Sequence, residues 1–365
     1  MSAIEQSGPI LLLRGLAANR SEPDLVSLAS ETDPERFVRR MLPHAARSFA
    51  ASIVILPAPA ARAASVAYLY CRMLDTYEDL LADPASRSRE LAAFGARFEA
   101  GLLPAPRPLP SAAAKNGRDR VHLLLLERCG LVDAVYTGLA RAERELTAEL
   151  VRSMTAGMIW ATEAFAEQGG VLIDAGQLSR YCRTVIGLPT AFLLELVRAG
   201  EFDAAAREDA MLVGEMVQLA NVTRDIEEDL ERGVGYHPAL RPLLGSRPEG
   251  AAALETVRGV RAELTYLALT RAPAYRRMYE RLGLDRRASI RSAAIILLLF
   301  TSLHYRGCMR ATGHAAWRSP RSRGWVIARG LPCLIGAGVA DRVMRSVERD
   351  LLRGAAALAP EQAGG

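Results

Sequence analysis

The sequence has few cysteines and few histidines, and neither residue is spaced as in a metal or redox site. The five cysteines are odd in number, lie far apart and form no CxxC pair, which argues against a disulfide framework or a zinc site. Cysteines of this kind fit a reducing compartment. The five histidines include no HExxH or ExxH spacing, and this argues against a zinc protease or a di-iron helical bundle.

Lysine is almost absent, because Lys115 is the only lysine among 46 basic residues. With 41 acidic residues, the formal net charge is +5. The planar guanidinium group of arginine suits phosphate-rich small molecules or an anionic membrane surface. The chain has no long basic block with interleaved aromatic residues, so we expect no nucleic-acid partner.

Long uncharged apolar runs are absent as well, since no stretch reaches the roughly 18 residues that a transmembrane helix needs. The longest apolar stretch, residues 292–305, is predicted to be a buried core helix. Residues 325–340 are apolar but contain Arg329 and Pro332, and they either pack on the domain or lie on a membrane surface. No basic region precedes the first apolar stretch, so we expect no signal peptide. The expected location is cytoplasmic, with peripheral contact at the inner membrane face as the alternative.

Alanine and leucine at helical spacing are abundant, and half of the residues are apolar. Helix starts are predicted near Asp33 and Asp133, and helix ends near Gly170 and Gly233. Residues 103–118 carry four prolines and are predicted to form an exposed loop. The sequence therefore predicts an all-α fold in a single domain.

A first acidic cluster lies at the end of an apolar helical stretch. Asp75 and Asp79 are four residues apart, so a helix places both on one face, with Glu78 beside them. Acidic pairs of this kind are usually solvated, but the preceding turns contain only Arg72 as a charged residue, which predicts a buried helix. Buried carboxylates repel each other unless a cation compensates, and Mg²⁺ prefers a few carboxylates plus phosphate oxygens.

A second cluster repeats this design about 150 residues later. Asp225 and Asp229 are again four apart, and Gln218 and Asn221 fall on the same or adjacent faces one and two turns earlier. Arg224 precedes Asp225, as an arginine also precedes the first pair. The neighbouring acidic residues of this helix end are predicted to lie in solvent. Two such clusters in otherwise apolar helices predict facing metal sites at one cavity.

Together these motifs resemble the squalene/phytoene synthase family, the head-to-head trans-isoprenyl diphosphate synthases. The matching segments are residues 47–50 (RSFA), 75–79 (DTYED), 181–187 (YCRTVIG), 221–229 (NVTRDIEED) and 232–238 (RGVGYHP). The resemblance covers roughly residues 47–238 and, more loosely, the helices to about residue 323. It implies an isoprenoid synthase-type helical bundle around a central cavity.

That resemblance also implies a domain division and a set of site residues. Residues 1–30 would be an N-terminal extension, 31–325 the catalytic domain, and 326–365 a C-terminal helical tail, with the tail as the candidate peripheral segment. Catalytic roles are implied for Arg72, Asp75, Asp79, Tyr181, Asp225 and Asp229. Metal binding is implied for Asp75, Glu78, Asp79, Asn221, Asp225 and Asp229. Substrate binding is implied for Arg47, Ser48, Phe49, Arg72, Gln218, Asn221, Arg224 and Tyr305.

By the same resemblance, Mg²⁺ would assist the ionisation of an allylic diphosphate, and a second prenyl diphosphate would attack the cation to give a cyclopropyl diphosphate. Residues 47–50 and 75–79 lean towards squalene synthases, hence towards farnesyl diphosphate as substrate and NADPH as reductant. Phytoene synthase, dehydrosqualene synthase, an enzyme that stops at presqualene diphosphate, and a catalytically silent scaffold remain alternatives. Oligomeric state is left open.

Two departures from the family pattern concern the cavity and one substrate contact. Ile186, Pro189 and Thr190 stand where small residues are usual, and Pro189 is expected to kink its helix. The shape of the cavity, and with it the product, is therefore left open. Ala46 precedes the first motif where a serine is frequent, so one contact to diphosphate is expected to be missing.

Overall fold

The structure is a computed structural model that describes residues 24–46, 48–99, 104–198, 201–313 and 322–359. In these ranges it is helical and has no β-strand; one isolated bridge joins Val171 and Gly235. The predicted all-α fold is confirmed. The chain forms two compact units, Met1–Glu163 with Glu195–Val197, and Ala164–Leu194 with Arg198–Gly365.

The first unit is built from eight helices within the described residues. They are α1 (Leu25–Ala29), α2 (Pro34–Ala46), α3 (Ser48–Ile53), α4 (Ala58–Leu80), α5 (Pro84–Ala96), α6 (Gly117–Glu127), α7 (Cys129–Thr137) and α8 (Arg141–Glu167), whose last four residues belong to the second unit. Asp33 caps α2 as predicted, because its carboxylate accepts a hydrogen bond from the Arg36 backbone at 2.7 Å. Residues 104–116 contain no α-helix, in agreement with their prolines, but the predicted loop extended too far, since α6 begins at Gly117.

Asp133 does not start a helix, contrary to the prediction, but lies within α7. Its carboxylate accepts hydrogen bonds from Arg97 at 2.7 Å and from the Tyr70 hydroxyl at 2.8 Å. Arg97 is 2% exposed and also donates to the Pro104 carbonyl, so this buried network anchors the start of the proline-rich segment. The aspartate serves long-range partners instead of a helix terminus, and local sequence rules do not detect such partners.

Within the described residues, the second unit contains eight further helices and a π-helical turn. The helices are α9 (Ala175–Cys182), α10 (Leu188–Val197), α11 (Ala204–Glu231), α12 (Ala251–Leu269), α13 (Ala272–Arg281), α14 (Ala288–Ala311), α15 (Arg323–Gly330) and α16 (Ala337–Leu358); the last three residues of α10 belong to the first unit. Gly170 and Gly233 have φ of +87° and +78° and follow the ends of α8 and α11, as predicted.

The π-helical turn Arg183–Gly187 lies directly between α9 and α10. Pro189 is expected to kink its helix; in the structure the helical run continues through it, and the π turn is the irregularity directly before it. Gly187 and Gly214 allow the π turn and α11 to touch: a Cβ on Gly214 would lie 2.3 Å from the Cα of Gly187. This close approach fixes the position of α9 and α10 on α11.

Helix α14 contains the longest apolar stretch of the chain. It is long and apolar enough to cross a membrane by length and composition, yet 67% of its apolar window is buried. Ile295, Ile296 and Leu299 are fully buried within the second unit. These observations agree with the predicted buried core helix.

Candidate active site

The first carboxylate pair lies in the last two turns of α4, a helix whose middle is buried. Asp75 is partly exposed and Asp79 is exposed, with Glu78 between them at intermediate exposure. The helix ends at Leu80, since Leu81 has extended backbone geometry. Carboxylates near a helix C-terminus face the negative end of the helix dipole, which is electrostatically unfavourable. Their position therefore calls for a compensating positive charge.

Arg72 supplies one such charge to Asp75. Its guanidinium lies 3.0 Å from the Asp75 carboxylate and also donates a hydrogen bond to the Tyr68 hydroxyl at 3.1 Å. Burial raises the pKa of Asp75 to about 6, and the negative charge of Asp79 adds to this effect, while Arg72 and Arg118 oppose it. The two arginines thus offset only part of the desolvation of this partly exposed carboxylate.

Arg118 was not among the predicted site residues. It lies in the first turn of α6, just after the proline-rich segment, and its charge stabilises the ionised form of Asp75. The segment before it is held in place because Tyr77 donates to the Arg107 carbonyl at 2.6 Å. The sequence gave no signal for this role, because Arg118 stood at the end of the predicted proline-rich loop, residues 103–118.

Phe49 also belongs to the first unit and packs near this arginine–carboxylate pair. Its ring lies 5.9 Å from the ring of Tyr68, the residue that bonds Arg72. Phe49 is therefore placed beside the arginine and its tyrosine partner. Arg47 and the side chain of Ser48 lie outside the described residues, so their predicted contacts with substrate remain predictions.

The second carboxylate pair lies in the last two turns of α11. Arg224 donates to Asp225 through two nitrogens, one of them at 2.6 Å. The guanidinium of Arg232 lies 3.8 Å from the carboxylate of Asp229. Each of the two carboxylates thus has an arginine beside it, at a helix end where the dipole disfavours negative charge.

One and two turns before this pair, the predicted polar residues of α11 form a hydrogen bond with each other. The amide nitrogen of Asn221 donates to the side-chain oxygen of Gln218 at 3.1 Å. Both residues are partly exposed on a helix whose other faces are largely buried. Helical spacing places them in line with Asp225 and Asp229. The second unit therefore presents one continuous polar stripe along the C-terminal half of α11.

Tyr181 lies buried on α9 and packs against Tyr236, a partly exposed tyrosine that the sequence analysis did not assign to the site. The hydroxyls of Tyr181 and Tyr236 are 3.3 Å apart, and their ring centroids are 5.2 Å apart. Phe165 packs edge-on against both rings, at 6.1 Å and 5.8 Å. Tyr236 belongs to the segment after α11 that resembles a family motif, and only this membership could have suggested it.

The backbone beside Tyr236 is fixed by the isolated bridge. Leu172 donates to the Gly235 carbonyl at 3.0 Å, and Gly235 donates back to the Gly170 carbonyl at 2.8 Å. A Cβ on Gly170 would lie 2.4 Å from the Gly233 carbonyl oxygen, so the two loops touch here. This reciprocal pairing holds Tyr236 against Tyr181.

Tyr305 does not support the predicted contact with substrate. It is 1% exposed, and its hydroxyl donates a hydrogen bond to the backbone carbonyl of Met216 in the core of the second unit. Burial raises the pKa of Tyr305, so the hydroxyl remains a donor. Its role in the structure is to fix α14 on α11.

A metal site made of protein side chains alone is absent from the described part of the chain, where no group of three or more His, Cys, Asp or Glu residues is arranged for an ion. Each unit instead offers a pair of carboxylates with an arginine. Within the second unit, an open pocket of about 470 Å³ lies beside Ser179, Arg183 and Met211, and none of the predicted site residues lines it.

The squalene/phytoene synthase family model matches residues 42–350. The chain belongs to this family. Enzymes of the family are prenyltransferases that bind prenyl diphosphates. The matched range contains both carboxylate pairs, the two tyrosines and the arginines beside the carboxylates.

The chain is similar to a curated phytoene synthase and to solved structures of related enzymes. A phytoene synthase of Thermus thermophilus is 29% identical over 244 residues, which are 60% of this chain and 80% of the relative. The ligand-bound structure of TcSQS superposes with a TM-score of 0.66 at 19% identity, covering 91% of this chain and 94% of that one. A ligand-bound dehydrosqualene synthase reaches 0.51 at 16% identity, covering 88% and 100%. At these identities the solved structures establish the fold.

Proposed function

We propose that this prenyltransferase joins two farnesyl diphosphates head to head, through presqualene diphosphate, and reduces the product to squalene with NADPH. The observation that carries the proposal is the pairing of Arg72 with Asp75 and of Arg224 with Asp225 at the ends of two largely buried helices. Bidentate arginine donors and carboxylates in such positions fit a diphosphate held with a divalent cation.

Mg²⁺ fits the donor set at both carboxylate pairs. Burial raises the pKa of Asp75 to about 6 although Arg72 and Arg118 oppose the rise, so a further positive charge would stabilise the ionised carboxylate. Asp75, Glu78 and Asp79 would hold the ion at the first pair, and Asn221, Asp225 and Asp229 at the second. Two or three carboxylates leave several positions for phosphate oxygens, as Mg²⁺ prefers. When bound, the ion would neutralise the departing diphosphate.

In the first step, different side chains would bind the diphosphate and assist the proton transfer. Arg72 and Arg224 would hold diphosphate oxygens while the allylic C–O bond breaks and the diphosphate leaves with the electron pair. The double bond of the second prenyl chain then attacks the cation, and loss of one proton closes the cyclopropane ring. The hydroxyls of Tyr181 and Tyr236, which are 3.3 Å apart, would orient the group that takes up this proton, for which a diphosphate oxygen is a chemically competent base.

In the second step the remaining diphosphate would leave and the carbon skeleton would rearrange, and NADPH would supply the hydride that completes squalene. Phytoene synthesis from two geranylgeranyl diphosphates is the second candidate, supported by the likeness to the Thermus thermophilus phytoene synthase. Farnesyl diphosphate is preferred because residues 47–50 and 75–79 resemble squalene synthase motifs.

Product analysis tests the proposal. Purified protein is incubated with Mg²⁺ and either farnesyl or geranylgeranyl diphosphate, with and without NADPH, and dephosphorylated extracts are run by gas chromatography–mass spectrometry. Squalene that appears only with NADPH supports the proposal. A cyclopropyl alcohol under both conditions means that the enzyme stops at presqualene diphosphate. Dehydrosqualene without NADPH, or phytoene from the longer substrate alone, makes the corresponding alternative correct. No product from a folded protein favours the silent scaffold.

A further inference from the structure

The C-terminal helix α16 has two chemically different faces. Its inner face is apolar and buried, and consists of Ala340, Val343, Met344, Val347, Leu351 and Gly354. Its outer face is exposed and carries Arg342, Arg345, Arg349, Leu352 and Arg353, which we call the arginine face. Positions three and four apart share a side of a helix, so these residues form one stripe. The stripe from Arg342 to Arg353 is about 16 Å long.

The acidic residues of α16 form ion pairs with arginines of other helices in the second unit. Arg276 of α13 lies 3.4 Å from Asp341 and 2.7 Å from Glu348. Arg306 of α14 forms an ion pair with Asp350. The side chains of Glu348 and Asp350 are only 22% and 19% exposed. The negative charge of the helix is therefore mostly neutralised on its inner side.

The arginines on the outer side are left with little compensation. In the part of the chain that the structure describes, no carboxylate forms an ion pair with Arg342, Arg349 or Arg353. Arg345 pairs with Asp341 at 2.7 Å, but Asp341 is shared with Arg276. The paired acidic residues of α16 thus lie towards the protein body, whereas the exposed arginines make its outer side strongly positive. Positive charge on an exposed helix face attracts an anionic partner.

Exposed apolar side chains near the arginine face favour a membrane over a nucleic acid as the anionic partner. Leu352 lies within the arginine face and is 44% exposed. Ile335, two residues before α16 begins, is 87% exposed. A nucleic acid would recognise the arginines but would gain nothing from isolated aliphatic side chains. A bilayer surface binds both groups, because arginines contact lipid phosphates while aliphatic side chains enter the acyl boundary.

We infer that the arginine face binds an anionic phospholipid membrane, with α16 lying parallel to the surface and Leu352 and Ile335 inserted. The sequence analysis gave residues 325–340 and the tail, residues 326–365, as membrane candidates; the arginine face lies within that tail, mainly after residue 340. This inference goes beyond the proposed condensation reaction and does not require it. A membrane location would suit an enzyme whose product is a hydrocarbon.

Vesicle sedimentation tests the inference without any prenyl substrate. The full chain is mixed with vesicles of phosphatidylglycerol and phosphatidylcholine, and separately with pure phosphatidylcholine vesicles. We expect the protein to sediment with the anionic vesicles only, and to be released as salt screens the arginines. Failure to bind anionic vesicles overturns the inference, while the product assay stands independently.

Matched variants locate the binding surface. The triple variant Arg342→Gln/Arg349→Gln/Arg353→Gln should bind anionic vesicles about 100-fold more weakly, since each arginine near such a surface contributes roughly fivefold. The control Arg286→Gln/Arg287→Gln/Arg310→Gln removes the same charge from exposed arginines of the same unit and should lose much less. Circular dichroism verifies that both variants fold. Equal losses in the two triple variants would mean that net charge alone binds lipid, and would overturn the assignment.

The apolar contacts are tested separately. Ile335→Ser/Leu352→Ser should weaken binding, whereas Val26→Ser/Leu254→Ser changes two other exposed apolar residues and should leave it unchanged. If both double variants bind anionic vesicles equally well, Ile335 and Leu352 do not insert into the membrane, and that part of the inference is wrong. Tighter binding of double-stranded DNA than of anionic vesicles, lost in the first triple variant, would assign the arginine face to nucleic acid instead.

Discussion

The hydroxyls of Tyr181 and Tyr236 lie 3.3 Å apart, although 55 residues separate them in the chain. Both rings pack against Phe165, and the loop before Tyr236 is pinned by the Val171–Gly235 bridge. One tyrosine was predicted as catalytic by resemblance to the family, and the other is positioned by the fold. We therefore predict that Tyr236 positions Tyr181.

Tyr236→Phe keeps the aromatic packing and removes only the hydroxyl. We expect the single-turnover rate of cyclopropyl diphosphate formation to fall about tenfold with an unchanged KM, and Tyr181→Phe to lower it further. Tyr275→Phe is the control, because its buried hydroxyl donates to the Ala294 carbonyl, and its loss should lower stability but leave the rate unchanged. Equal rates for Tyr236→Phe and the wild type would return Tyr236 to a packing role.

If the two carboxylate pairs bind Mg²⁺ and diphosphate, replacing one of their aspartates by the neutral asparagine should strongly reduce activity. Asp75→Asn and Asp225→Asn should each lower kcat at least about 100-fold, because each removes a charge that would balance Mg²⁺ and diphosphate. Helical circular dichroism should remain unchanged. Glu145→Gln changes an exposed acid of α8 and serves as the control. Full turnover by both aspartate variants would exclude the carboxylate pairs from the chemistry.

Local features of the site could be predicted from the sequence, because they depend on residues close together in the chain. The spacing of Asp75 and Asp79 places both on one helical face, and Gly170 and Gly233 mark helix ends through positive φ. The all-α fold followed from composition and helical periodicity in the same way.

Contacts between distant residues could not be predicted. Asp133 looked like a helix cap, but Tyr70 bonds it across 63 residues and Arg97 across 36. The apolar sequence before Tyr305 did not reveal where its hydroxyl points, and the structure directs it to a backbone carbonyl. Such partners are selected by tertiary packing, which overrides local pattern.

The ionised carboxylate of Asp75, which is largely removed from water, is predicted to lower the stability of the protein at neutral and alkaline pH. Burial raises its pKa to about 6 from 3.8, so the folded protein holds the proton more tightly than the unfolded chain. This contribution to stability is complete below about pH 4 and is lost as pH rises through 6. In Mg²⁺-free buffer, Asp75→Asn should therefore be more stable than the wild type at pH 8, by up to about 3 kcal/mol. Thermal melts between these pH values measure the difference, and a constant gap across them would contradict the prediction.

Tyr305→Phe separates a core role from contact with substrate. The variant loses the buried hydrogen bond to the Met216 carbonyl, so we expect the free energy of unfolding to fall by about 1 kcal/mol. Because the hydroxyl is enclosed within the second unit, kcat and KM should stay within about twofold of the wild type. Urea denaturation and steady-state kinetics provide the two measurements. A large rise in KM with unchanged stability would restore the original prediction of a diphosphate contact.

The contact between Gly187 and Gly214 predicts opposite effects for two glycine-to-alanine changes. A Cβ on Gly214 would lie 2.3 Å from the Cα of Gly187, and backbone cannot rotate away as a side chain could. Gly214→Ala should therefore cost at least about 2 kcal/mol of stability. On the exposed face of α12, a Cβ added to Gly259 would meet no atom within 4 Å, so Gly259→Ala should stabilise by about 0.5–1 kcal/mol. Urea denaturation of both variants measures the two changes.

The same contact links packing to chemistry, because Gly187 ends the π turn that follows the helix carrying Tyr181. An alanine at Gly214 must push that turn away from α11 and displace Tyr181 with it. We therefore expect Gly214→Ala to slow cyclopropyl diphosphate formation even at temperatures where it remains folded, whereas Gly259→Ala should not. If folded Gly214→Ala reacts at the wild-type rate, the close contact serves stability alone and Tyr181 is held by its aromatic neighbours.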